Sequence, residues 1–281
     1  MKSMFEGRTL LIATKHSKER AIAPIMERDL GVLCGTTSDF DTDLLGTFTG
    51  EVERKDDPHT TARTKCRLAL QSSGYDLGIA SEGSFGPHPS NLFVPADEEV
   101  LVFIDLKYDL EISVREISTQ TNFSGARIQT KEELLRFAIA AGFPSHGLIL
   151  RKSKEDLVGM RKGIVDLKAL ESEADILLLK YGSAWVETDM RAVFNPMRMQ
   201  VISRAAHRLS AKIRSHCPDC GCPGFGVTEA KSGLRCNNCN FPTRSTLTYI
   251  HSCLRCGHRK EEWYPHGKRV EDPMHCDNCN P

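Results

Sequence analysis

Short apolar runs alternate, along residues 1–214, with stretches whose apolar positions recur at helical spacing. Thr9–Thr14 reads as a buried strand, and Ser17–Leu30 as a helix that places Ile22, Ile25 and Met26 on one face, with Ser17 as its N-cap. A strand at Gly31–Thr36, a helix at Pro58–Ser72 burying Ala62, Cys66, Ala69 and Leu70, and a strand opening at Tyr75 follow. That strand is expected to leave its sheet at Glu82-Gly83. This β-α-β order predicts a parallel start to the sheet. After a turn at Gly86–Pro89, the runs Val100–Leu106 and Leu110–Ile117 are joined closely enough to pair antiparallel, which makes the sheet mixed. Lys131–Ala141 and Asp166–Leu179 are read as helices and Gly147–Leu150 as a strand. A long helix opens at Pro196 with Asn195 as cap and runs to about Ile213, carrying Met199, Ile202, Ala206 and Leu209 on one face.

Composition adds domain count and compartment to this pattern. With 281 residues, 40% hydrophobic and 26% charged, the chain has material for a large domain and a small one. No apolar run approaches the roughly 18 residues of a membrane span, and residues 1–13 lack the pattern of a secretory leader, so the expected address is cytoplasmic.

Candidate chemistry in the large domain gathers at strand ends. The junction of first strand and first helix carries Thr14, Lys15, His16, Ser17 and Lys18, where unpaired backbone N–H groups favour an anion, phosphate above all. Glu82, among small residues at a strand end, suits a metal-binding or catalytic carboxylate. Asp105 and the pair Glu187 and Asp189 are candidates for a second acid, and Arg191, Asn195 and Arg198 for holding a substrate anion. A magnesium ion shared by such carboxylates and substrate oxygens would aim water at phosphorus. Asp39, Asp41 and Asp43 have part of the spacing of a calcium loop but lack its glycine and closing glutamate.

The segments Ala13–Ile22, Thr60–Ala69 and Asp76–Gly86 together resemble the inosine and xanthosine triphosphate pyrophosphatases, which act on non-canonical purine nucleotides. The resemblance implies an α/β fold of that type, phosphate contacts from Thr14, His16 and Lys18, help from Arg63 and Lys65, and a metal on Glu82. His16 stands where that family has asparagine, and Lys18 lies one residue closer to it than in the family pattern. As a whole, the chain is similar to an uncharacterised bacterial family that joins such a domain to a cysteine-rich tail.

The cysteines separate the second domain. Nine of eleven follow Ser215, and eight form four Cys-x2-Cys knuckles: Cys217 with Cys220, Cys236 with Cys239, Cys253 with Cys256, and Cys276 with Cys279. Without an export signal, this spacing points to zinc rather than disulfides, with four thiolates around each of two structural ions. Adjacent pairing, first knuckle with second and third with fourth, closes the shorter loops and is expected over interleaved pairing. Gly221, Asn240, Gly257 and Asn280 are expected at positive φ after each knuckle. Residues 201–281 carry twelve Lys and Arg against seven Asp and Glu. Each four-thiolate zinc site brings −2, so most of this excess is cancelled, leaving nucleic acid or protein as partners for a patch around Arg255, Arg259, Lys260, Trp263 and Tyr264.

The sequence therefore predicts a mixed-sheet α/β domain over residues 1–214 that takes a nucleotide or phosphate, followed by tandem zinc ribbons over 215–281. The expected function is a metal-dependent phosphohydrolase or pyrophosphatase acting on a nucleotide-like anion. A non-catalytic binding module built from the same parts is the alternative.

Overall fold

A computed structural model describes residues 4–14, 16–36 and 56–281 of the chain. It divides into two compact units, residues 1–210 and 211–281. Among the described residues no helix is long and apolar enough to cross a membrane.

The first unit begins with β1 (Thr9–Ala13), α1 (Glu19–Leu30), β2 (Leu33–Thr36), α2 (Pro58–Ser73), β3 (Leu77–His88), β4 (Asn91–Asp105) and β5 (Leu110–Ser118). Their sheet has the order β2-β1-β3-β4-β5, parallel across β2-β1-β3 and antiparallel beyond, so the mixed sheet expected from the sequence is present. Because β2 and β3 flank β1 on opposite sides, right-handed crossovers put α1 and α2 on opposite faces. Alternation assigns the faces. Ala62, Cys66, Ala69 and Leu70 of α2 pack on Leu11, Ala80, Val100, Val102 and Ile104. Leu10, Ile12, Ile79, Leu101 and Phe103 are buried on the other side.

Several boundaries differ from the sequence reading. β3 does not end at Glu82 but runs on to His88, and the expected turn at Gly86–Pro89 is mostly strand, because β3 and β4 continue as a paired hairpin out to His88 and Asn91. Ser17 does not cap α1. It has φ of 57°, and Lys18 takes the cap position without a side-chain cap bond. Asp57 caps α2 through its carboxylate, and Gly74 closes it in the left-handed conformation. The acidic stretch Asp39–Asp43 lies outside the described residues.

A second sheet of the same unit has the order β6-β9-β7-β8, all neighbours antiparallel, from β6 (Gly125–Ile128), β7 (Leu148–Arg151), β8 (Arg161–Ile164) and β9 (Ala184–Thr188). Helices α3 (Lys131–Ala141) and α4 (Leu167–Tyr181) share one apolar cluster with Ile128, Leu148, Leu150, Ala184 and Val186 of this sheet. The long helix α5 (Pro196–Arg214) then follows, capped as expected by Asn195, whose Oδ1 accepts the Arg198 N–H at 3.0 Å.

The second unit contains β10 (Gly226–Ser232), β11 (Arg235–Cys236), β12 (Thr246–Ser252), β13 (Arg259–Trp263) and β14 (Val270–Glu271). β12 is the centre of an antiparallel sheet between β10 and β13, while β11 and β14 pair in parallel.

Candidate functional site

In a sheet of order β2-β1-β3, ligands are expected where the connections diverge, at the carboxyl ends of β1 and β3. β1 stops at Ala13 beside Ala80, whereas β3 continues, so the next residues of β3 lie beyond the end of its neighbour. Lys18, Ser81, Glu82 and Gly83 occupy that step. Lys18 Nζ donates to Ser81 Oγ at 2.9 Å and lies 4.0 Å from Glu99. Lys65, reaching in from α2, donates to Glu82 Oε2 at 2.6 Å. On the opposite face, Glu99 of β4 accepts from Arg198 Nε at 2.6 Å. Arg198 also donates to the Met190 carbonyl and lies 5.1 Å over the ring of Phe85. Asp97, two residues before Glu99, completes the group.

Three acids and three cations are thus buried together: Glu82, Asp97, Glu99, Lys18, Lys65 and Arg198 are each no more than 6% exposed. Asp97 Oδ1 and Glu99 Oε2 have no hydrogen-bond partner among the described residues. Gly83 is fixed by the same crowding, since a Cβ there would fall on the Glu99 carboxylate and the Arg198 guanidinium. Burial, with Glu99 beside it, pushes the Asp97 carboxyl up to about 7. Burial also pulls the Lys18 ammonium down to about 8, against the attraction of Glu99.

These shifts carry a sign. An acid whose native pKa exceeds its unfolded value of 3.8 holds an extra proton in the folded state between about pH 4 and 7. Its contribution therefore falls as pH rises through that window. Lys18 works the other way, costing stability below about 8 and relieving it towards 10.5. Asp97→Asn is expected to raise the urea midpoint at about pH 7.5 relative to the parent and to lose the parent's gain on going to about pH 5. Equal midpoints for parent and variant at both pH values would remove Asp97 as the source.

Other residues singled out from the sequence lie elsewhere. Asp105 is at the far end of β4, opposite Leu77, where it accepts a fork of two hydrogen bonds from Arg8. Arg63 faces away from Glu82 and pairs with Glu111 at 2.8 Å. Glu187 takes Arg151 at 2.6 Å and the Trp185 indole N–H at 2.8 Å. Asp189 is consumed by Arg191 and by the Gly163 N–H at 2.9 Å. Asn195 Nδ2 donates to Asn122 at 2.9 Å, so Asp189, Arg191 and Asn195 act together to fix the entry to α5. Thr14 Oγ1 accepts from the His16 N–H at 3.4 Å, at the end of β1. Asp97 and Glu99 were not anticipated, yet period-2 alternation puts them on the face of Leu101 and Phe103, which is buried.

In the second unit the cysteines form two groups, Cys217, Cys220, Cys253 and Cys256, and Cys236, Cys239, Cys276 and Cys279. The pairing is interleaved, first knuckle with third and second with fourth, and the expectation of adjacent, tandem ribbons is corrected. Doubling a loop costs only about 0.6 kcal/mol, and strand pairing outweighs it. Gly226, soon after the first knuckle, pairs with Ser252 just before the third, and Cys236 itself pairs with Glu271 just before the fourth. Sulfur-sulfur separations are 3.7 Å for Cys217 and Cys256, 3.6 Å for Cys220 and Cys253, 3.9 Å for Cys236 and Cys279, and 3.6 Å for Cys239 and Cys276. A tetrahedron with metal-sulfur bonds of about 2.3 Å has an edge of about 3.8 Å, so both groups have the dimensions to hold a metal ion. Gly221, Gly257 and Asn240 have positive φ as expected. Asn280 does not; it anchors its turn by donating from Nδ2 to the Met274 carbonyl at 2.9 Å. Cys222 stands outside both groups, and His251 and His258 pack on Phe225.

Fold and site together define a mixed α/β protein with two four-cysteine groups able to hold metal. The chain belongs to the family described as Domain of unknown function (DUF6671), whose model matches residues 65–281. That span includes Lys65, Glu82, Asp97, Glu99, Arg198 and all eight knuckle cysteines but not Lys18. The resemblance of residues 13–86 to triphosphate pyrophosphatases receives no support from these comparisons. Among solved structures, the chain is similar to protein VC0702 from Vibrio cholerae at 12% identity and a TM-score of 0.32, over 72% of this chain and 93% of that one. No curated protein matches.

Proposed function

We propose that the first unit binds a phosphate-bearing, nucleotide-like anion together with a divalent cation at the β1/β3 step and hydrolyses it, and that the second unit is a module folded around two zinc ions. The observation that carries the first reading is the buried group of Lys18, Lys65, Arg198, Glu82, Asp97 and Glu99. A buried carboxylate oxygen without a donor costs about 1–3 kcal/mol or more, and a magnesium ion on Asp97 Oδ1 and Glu99 Oε2 would offset that cost. Lys18 and Lys65 are then the natural partners of phosphate oxygens. A bound cation would hold the Asp97 carboxylate ionised, so its part there is that of a ligand.

A panel of nucleoside triphosphates with magnesium tests this. Magnesium-dependent release of phosphate or pyrophosphate, lost in a Glu99→Gln variant that still melts cooperatively, is the expected result. Saturable nucleotide binding without product favours the non-catalytic module, and absence of both turnover and binding overturns the reading.

Support for zinc in the second unit comes from the all-thiolate donor sets at tetrahedral spacing, which a borderline-soft ion prefers. Many of this unit's cations are already paired: Arg259 with Glu229, Lys231 with Glu261, Lys268 with Glu271 and Arg244 with Asp277. That favours a folding and protein-docking role over capture of nucleic acid.

A further inference from the structure

The face of the second sheet turned away from α3 and α4 carries a row of three long side chains on adjacent strands. Arg127 of β6, Trp185 of β9 and Arg151 of β7 are register partners. The chain leaving β7 and the chain entering β9 close a cavity of about 480 Å³ at the end of this row, walled by Arg127, Lys152, Lys154, Tyr181 and Trp185. That volume is within the range of small-ligand pockets.

The charges there are not balanced. Lys152 lies over the Tyr181 ring at 4.7 Å and Lys154 over the Trp185 ring at 5.7 Å, while Arg127 donates to the Ser183 hydroxyl at 3.0 Å. Among the described residues none of these three cations has a carboxylate within ion-pair distance. Arg151 is 7% exposed; its Nη2 is held by Glu187, but its Nε is buried with no hydrogen-bond partner. In the cavity wall itself, the three cations Arg127, Lys152 and Lys154 therefore stand against Glu155 alone. The indole is fixed as a wall, because its N–H is donated to Glu187 at 2.8 Å and Gly125 lies so close that a Cβ would come within 2.8 Å of the ring.

We propose that this cavity is a binding site for a phosphorylated ligand with a planar ring, a nucleoside mono- or diphosphate, distinct from the β1/β3 step. The two ammonium groups leave the aromatic rings for the phosphate, and the exposed ring faces receive the base. Stacking on an aromatic side chain is worth about 1–3 kcal/mol per base, and several unpaired cations favour a phosphate dianion. The location is at the opposite end of β9 from the Met190 contact of Arg198.

The test uses tryptophan emission, because the chain has only Trp185 and Trp263. In full-length Trp263→Phe protein, titration with AMP or ADP is expected to quench Trp185 saturably, and Arg127→Ala with Lys154→Ala to weaken binding at least tenfold. The same titration in Lys18→Gln keeps its signal, which separates this site from the proposed catalytic one. Three results would overturn the proposal: no change in emission at millimolar nucleotide, quenching unaffected by the paired substitution, or inorganic phosphate binding as tightly as AMP. A short oligonucleotide binding far more tightly than either mononucleotide would instead assign the surface to single-stranded nucleic acid.

Discussion

Cys217→Ser combined with Cys253→Ser is expected to leave one bound metal ion per chain, whereas Cys217→Ser combined with Cys236→Ser leaves none. In the interleaved arrangement Cys217 and Cys253 lie in one four-sulfur group, while Cys217 and Cys236 lie in different groups. Adjacent pairing predicts the reverse, so two double variants and a metal assay decide the connectivity. The effect on folding is large. A structural four-thiolate zinc site contributes about 10–16 kcal/mol in small metal-dependent domains, and residues 211–281 place few other side chains out of solvent: Ile213, Phe225, Leu234 and Ile250 are the buried large apolar ones among them. Chelation of both ions should abolish the strand signal of this unit in circular dichroism and expose its amides to exchange. Persistence of β10, β12 and β13 in metal-free protein would show that the sulfur groups do not hold the unit together.

Arg198→Ala should destabilise the first unit by about 3–5 kcal/mol, the usual cost of removing one partner of a buried ion pair. Among the described residues Arg198 is the largest of the fully buried side chains, and it is bonded to Glu99 at 2.6 Å. Its loss leaves Glu99 and Asp97 to repel each other out of water. For a unit of this size, each kcal/mol moves the melting temperature by about 2–4 °C, so a fall of about 10 °C is expected. Adding Glu99→Leu to Arg198→Ala should recover part of it, because replacing both partners removes the stranded charge. A drop of under about 2 °C would mean the pair is compensated by water and does not shape this core.

Much of the architecture was legible because it rests on local rules. The helix over 131–141 is bounded by Thr130 and Gly142, a cap and a left-handed stop that the chain displays openly. The βαβ order predicted the parallel strands, and the short connection after Asp105 predicted the antiparallel pair. What stayed hidden depends on long-range pairing. Whether Lys65 rather than Arg63 reaches Glu82 is a matter of a half-turn rotation on α2, which both residues' polarity leaves open. Asp97 and Glu99 sit in a stretch that reads as a strand opening among surface acids, and only carrying the alternation of Leu101 and Phe103 back along the full length of β4 brings them into the interior. The cysteine spacing disclosed the ligands but not their partners, since chain entropy separates the two pairings by less than a single hydrogen bond to a charged group.

The interleaved knuckles also set an order of events during synthesis. When Cys239 has emerged, the first two knuckles are both available and neither has its native partner, which must wait for Cys253 and Cys256 and then for Cys276 and Cys279. At about 5–20 residues per second, that interval lasts on the order of a second or more. An ion captured early by Cys217, Cys220, Cys236 and Cys239 would create a competent but wrong tetrahedron, and releasing it would become the slow step. Newly made protein should therefore mature faster when free zinc is scarce and delivered late than when it is abundant from the start.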